Sequence, residues 1–176
     1  MRRSLLVVIM LLIFLIEGTW MNWFLPADWQ SRILVSPHLV LIVILFIGIY
    51  WNRHYGLFFG LGFGLLHDII FYGPMIGTFC LGYGLVGYAA GLLPFRSERN
   101  ILTTLFIVAA GIFGFEWLIY AIYRLMDVIH TSPEWSFLHH IFPSVVANLL
   151  LALAFYVPLR KLMERVRMPQ RVKEQE

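Results

Sequence analysis

A chain of 176 residues that is 60% hydrophobic and only 13% charged does not read as a soluble domain, because soluble domains run about 45–50% apolar and about 25% charged. The excess, with a mean hydropathy of +0.80, reads as surface that faces lipid, and one compact domain fits the length. The single cysteine, Cys80, excludes an internal disulfide and cysteine-based metal spacing, and the placement of the +3 net charge argues for membrane topology and against nucleic acid.

Runs of about 20 apolar residues are needed to cross about 30 Å of hydrocarbon. Apolar helices are expected at 4–25, 37–51, 55–72, 76–94, 101–125 and 138–159, an all-α integral membrane protein of six transmembrane helices. The first opens with Arg2-Arg3 and an apolar stretch from Leu5 to Ile16, like a signal peptide. Bulky residues such as Trp20 and Trp23 follow instead of an A-x-A site, so a retained helix is expected. In the second, Ser36-Pro37 suits a cap and first helical position. Gly73-Pro74 is a tight turn, which would make the third and fourth helices an antiparallel hairpin.

Six spans with the N-terminus inside put 11 of the 13 basic residues on inner segments and leave only Arg32 and Arg124 outside. That asymmetry argues for a multi-pass protein of the plasma membrane with both termini cytoplasmic. The outer loops, 26–36 and 126–137, carry Trp29, Pro133 and Trp135, and tryptophans fit the interfacial belt. Residues 1–160 would form the membrane domain. Residues 161–176 would be a basic cytoplasmic tail, acting as an anchor beside anionic lipid or as a dock for a cytoplasmic partner.

No motif points to catalysis. Gly82 to Gly87 matches G-x-G-x-x-G, but it lies in a membrane span without the strand and βαβ unit that dinucleotide binding requires. Neighbouring His139 and His140 point about 100° apart on a helix, a poor arrangement for chelation. No catalytic residue, metal ligand or cofactor is expected.

Gly56, Gly60 and Gly64 share one face of the third span, and Asp68 continues it. The later spans add Gly87 with Gly91 and Ala110 with Gly114. Small residues at this spacing let membrane helices approach closely, either within the bundle or against a partner's helix; a substrate channel is a third reading. Three acids, Glu17, Asp68 and Glu116, lie within spans, where a charge is costly and usually meets a partner inside the bundle. Arg124 is the nearest cation to Glu116. The neutral candidates are His67, Tyr72, Tyr120, His139, His140 and Asn148. The acids could tie helices together, relay protons or cations, or bind a polar group on a partner.

The stretch Gly60-Leu61-Gly62-Phe63-Gly64-Leu65-Leu66-His67-Asp68, followed by Gly77, Leu81 and Tyr88, resembles the hairpin of the MreD family of rod-shape membrane proteins. Glu17, Glu116, Pro143, Asn148 and the short basic tail agree with it over nearly the whole chain. The resemblance implies a non-enzymatic scaffold of the cell-elongation complex with MreC as partner. It also implies RodA, a class B penicillin-binding protein and MreB as further members of that complex. It implies a fold similar to the six-helix S components of ECF vitamin transporters, which keeps a small-molecule-binding or transport subunit as the alternative.

Overall fold

The computed structural model describes residues 2–23, 35–71, 74–92 and 100–167. The expectations for Trp29, Arg32, Tyr72, Gly73, Arg96, Arg99 and the end of the tail lie outside these. Among the described residues the chain is helical, without strands: α1 (Arg2–Trp23), α2 (Leu39–Tyr50), α3 (Arg53–Ile70), α4 (Thr78–Ala90), α5 (Ile101–Leu125), α6 (Pro133–Ser136), a π turn (Phe137–Ile141) and α7 (Phe142–Arg167). The last three follow one another without a break.

α2 is the hub. Its residues Val40 to Gly48 are all buried, and it touches α1, α3, α4, α5 and α7. Its sequence, LVLIVILFIGIY, has no polar stripe, and a helix apolar on every side is a buried one. At 12 residues it spans about 18 Å. The stretch Ile101–Leu125 and the run Pro133–Arg165 are long and apolar enough to cross a membrane, whereas Leu5–Thr19, Leu39–Tyr50 and Thr78–Ala90 are shorter apolar helices. The bundle exposes large side chains such as Leu102, Phe106, Leu15 and Leu150, as a surface solvated by lipid does.

α3 and α4 pack backbone to backbone. A Cβ built on Gly60 would lie 2.6 Å from the Tyr83 carbonyl carbon, and one on Gly64 would lie 2.6 Å from Cys80 Cα. A Cβ on Gly87 would lie 2.6 Å from the Gly56 oxygen. The helices are antiparallel, so the glycine ladder of α3 runs against the reverse of α4, and Gly48, near the C-terminal end of α2, meets Gly87 and Gly91. Tyr88, half-buried near that end, carries the Arg53 guanidinium 5.7 Å over its ring.

Three expectations need correction. α2 begins at Leu39, not Pro37, because residues 35–38 are non-helical, with Ser36 and His38 held by α7. The last helical run starts at Pro133 and not near 138: Ser132 is its N-cap, accepting from the Trp135 N–H, and Pro133 occupies the first turn, where its missing donor costs nothing. It also continues to Arg167, since Tyr156, Leu159 and Met163 recur at helical spacing on the buried side. In α5 the small residues Ala110 and Gly114 face outward, and a Cβ on Gly114 would meet nothing within 4 Å. Gly111 makes the contact instead, where a Cβ would lie 2.7 Å from Leu45.

Candidate functional site

The three membrane acids are buried, at 3% exposure for Glu17, 1% for Asp68 and 3% for Glu116. Two of them close the open ends of other helices. The first turn of any helix leaves N–H groups without partners, and in a bundle without water they must be satisfied by side chains. The N-cap of α4 is Gly77, whose φ of 102° is left-handed, a region glycine enters freely. Glycine has no side chain to cap with. Asp68, reaching from the end of α3, does so: Oδ2 accepts from Gly77 N–H at 2.9 Å and Cys80 N–H at 3.0 Å, and Oδ1 accepts from Phe79 N–H at 3.2 Å. The helix dipole favours a negative charge at this end.

α2 is capped in the same way from α1. Its N-cap, His38, makes no side-chain cap, and Val40 N–H donates to Glu17 Oε2 at 2.8 Å. The non-helical segment before it is fixed by α7. Asn148, fully buried, accepts from His38 N–H at 2.6 Å and donates to the Ser36 and Ser144 carbonyls, each at 2.8 Å. Ser36 N–H donates to Ser144 Oγ at 3.2 Å. Replacing Asn148 with leucine is therefore expected to destabilise the fold by about 2–4 kcal/mol, because it strands a buried donor and acceptor. Thermal melting of the detergent-solubilised protein measures this, and a leucine variant melting with the parent chain would refute it.

His38 gathers the remaining polar groups. Its Nδ1 lies 3.3 Å from the Tyr83 hydroxyl and 3.9 Å from Glu17 Oε1, and its Nε2 lies 3.3 Å from Glu116 Oε1. The π turn brings His140 Nδ1 to 3.5 Å from Glu116 Oε2. Phe115 and Tyr83 pack edge-on against the His38 ring. A cavity of about 330 Å³ opens beside this centre, between α5 and the segment that leads into the last helix.

The structure thus brings Glu17, Glu116 and Asn148 together around His38, and places Asp68 with Gly77 at a second junction. Gly56, Gly60 and Gly64 lie along the α3–α4 contact, and Tyr88 lies apart from both junctions. Arg124 does not neutralise Glu116. Eight residues carry it about 12 Å along the helix, and its Nη1 donates to the Tyr120 hydroxyl at 2.7 Å. Of the neutral partners expected for the acids, His140 contacts one. His67 instead stacks on Phe79 at 4.1 Å, His139 stacks on Trp135 at 4.9 Å, and Tyr120 donates to the Thr131 carbonyl at 2.9 Å. Sequence reasoning missed His38. Treating Pro37 as the first helical residue made its neighbour an ordinary helix position, whereas a histidine at the mouth of an all-apolar helix, in a chain with three buried acids, was a usable signal.

Among the described residues no group of three or more histidine, cysteine or acidic side chains is arranged to hold a metal ion. The apolar exterior and the acids tied into helix junctions define an integral membrane protein built as a helical bundle. The family model for the rod shape-determining protein MreD matches residues 1–166. The chain belongs to the MreD family. It is 22% identical over 161 residues to the rod shape-determining protein MreD of Bacillus subtilis (strain 168), an alignment covering 91% of this chain and 92% of that one. No solved structure matches.

Proposed function

We propose that this member of a rod shape-determining family is a non-enzymatic scaffold that spans the plasma membrane six times and binds MreC. Through that contact it helps to position or regulate peptidoglycan synthesis, with RodA, a class B penicillin-binding protein and MreB as further partners. The observation that carries this reading is the use made of the deep polar residues. Glu17, Asp68 and Asn148 are hydrogen-bonded to backbone groups that no helix of its own could satisfy, so they hold a shape. A transport relay needs groups that change partners, and two of the three acids are engaged as caps.

In this reading α2 and α4, at 12 and 13 residues, cross the bilayer with the help of their flanking segments, and both termini face the cytoplasm. The arrangement would be akin to the S components of ECF vitamin transporters. Reporter fusions after Glu176 and within 126–137 test the topology: activity inside for the first and outside for the second is expected, and a C-terminal reporter active only outside overturns six spans. Co-purification with MreC and cell width test the scaffold. Asp68→Asn, where it accumulates, is expected to retain MreC and largely support rod shape. Retained MreC with lost shape would instead point to a mechanism that depends on ionisation. One observation favours the small-molecule alternative, the cavity beside Glu116.

A further inference from the structure

Two buried acids on different helices converge on one imidazole. His38 Nδ1 lies 3.9 Å from Glu17 Oε1 of α1, and its Nε2 lies 3.3 Å from Glu116 Oε1 of α5. A second imidazole, His140 of the π turn, lies 3.5 Å from Glu116 Oε2. Among the described residues both acids therefore meet histidines, and neither is paired with a lysine or arginine. A buried carboxylate is tolerated when an opposite charge stands beside it, and a histidine supplies that charge only while it holds an extra proton. Two carboxylates among two imidazoles are balanced when the four groups together bind two protons, and each proton lost leaves one negative charge uncompensated. Groups in such contact titrate as a unit, so the protons belong to the cluster.

The other groups around His38 do not replace those protons. Tyr83 of α4 offers a hydroxyl 3.3 Å from Nδ1, and His67 of α3 packs with His38 against Phe79. Asp68 is spent on the α4 entrance, and Tyr120 and Tyr123 of α5 line the neighbouring cavity. From α7 come the neutral Asn148 and Ser144, and the Arg124 guanidinium is turned to the Tyr120 hydroxyl. The cavity and the His140 side chain, 32% exposed, give water a route to the cluster.

We propose that Glu17, His38, Glu116 and His140 form a proton-held joint, which clasps α1 to the entrance of α2 and to α5 and loosens as its protons leave. α1 packs mainly on α2, so the clasp at Glu17 bears directly on its attachment. Without the protons, Glu17 and Glu116 repel each other across a neutral ring. The unfolded chain sets the direction of the effect, since its imidazoles titrate near pH 6.5 and its glutamates near about 4.3. Above about pH 6.5 the folded cluster holds protons that the unfolded chain has given up, so stability falls as pH rises, about tenfold in the folded-to-unfolded ratio per pH unit for each proton held. Between about pH 5 and 6.5 the unfolded imidazoles hold theirs too, and the contribution is level. The joint acts within this chain alone, so its failure would leave the scaffold reading untouched.

The test counts protons. The full chain, in weakly buffered neutral detergent with a pH-indicator dye, is unfolded with guanidinium chloride. At about pH 8 a release of about one to two protons per chain is expected, against little or none at about pH 5.5. Glu116→Gln removes one carboxylate and with it the need for one balancing proton. It should lower the release at about pH 8 by about one proton and flatten the fall in melting temperature between about pH 6.5 and 8.5. If that variant does not accumulate, Glu17→Gln carries the same expectation, and its side-chain oxygen can still accept from the Val40 N–H. Glu164→Gln, in the exposed pair with Arg160, is the control and should change neither readout. Should neither cluster variant accumulate, the release from the parent chain decides. No release from the parent at about pH 8 overturns the joint. Equal release from the parent and a cluster variant also overturns it, since the protons then lie elsewhere.

Discussion

Asp68→Leu is expected to lose most of the folded protein. Three N–H donors of the α4 entrance end on this one carboxylate, and leucine leaves all of them buried without a partner. At about 1–3 kcal/mol for each of the three stranded groups, the loss is roughly 3–9 kcal/mol, comparable with the whole stability of many domains, about 5–15 kcal/mol. Asp68→Asn should fall between. Its single acceptor oxygen can keep the pair from Gly77 and Cys80, while its amide faces the Phe79 N–H, for a loss of about 1–3 kcal/mol. Melting temperature and the monodisperse fraction after solubilisation separate the three proteins. If leucine and asparagine prove equally mild, the cap contributes little and the acid sits there for another reason.

The second large effect is expected at the glycine ladder. Gly60→Ala adds a methyl group that would lie 2.6 Å from the Tyr83 carbonyl carbon and 2.7 Å from Gly84 Cα. These are backbone atoms, which cannot rotate aside as a side-chain tip can. The helices must separate, and overpacking of this kind costs about 1–3 kcal/mol or more. Leucine at Gly60 or Gly64 should be worse, lowering abundance and recovery of any complex. Gly62 supplies the control. It sits in the same helix, yet a Cβ there meets nothing within 4 Å, so Gly62→Ala should be neutral or raise stability by up to about 1 kcal/mol through helix propensity. Equal melting temperatures for Gly60→Ala and Gly62→Ala would remove the ladder from the account.

The helices were legible in the sequence because hydropathy and punctuation agree: Gly-Pro between α3 and α4, polar stretches elsewhere. The glycine face was legible from spacing alone, since residues four apart share a face whatever the fold. Two things were not. The destination of each acid was hidden because a cap supplied from another helix depends on tertiary placement. Glu17 is 23 residues from Val40 in the chain, and nothing local links them. His38 was hidden because Ser-Pro commonly opens a helix. Here the backbone stays out of the helix for two residues more, held by Asn148, which lies 110 positions further along the chain, a contact that local sequence rules do not address.

That contact has company. Tyr50 meets the Tyr156 hydroxyl at 3.4 Å, the Trp51 indole donates to the Met163 carbonyl at 3.2 Å, and Asn148 and Ser144 hold residues 36–38. All of these bonds join positions 106 to 112 apart. The central helix, made early, therefore closes its contacts only with the final helix, made last. Until the ribosome has released that segment, the entrance to α2 lacks its α7 ties, and one side of a helix apolar all round stays uncovered by its own chain. The molecule is sealed from its C-terminal end, and a chain cut short before Asn148 would lack the closure.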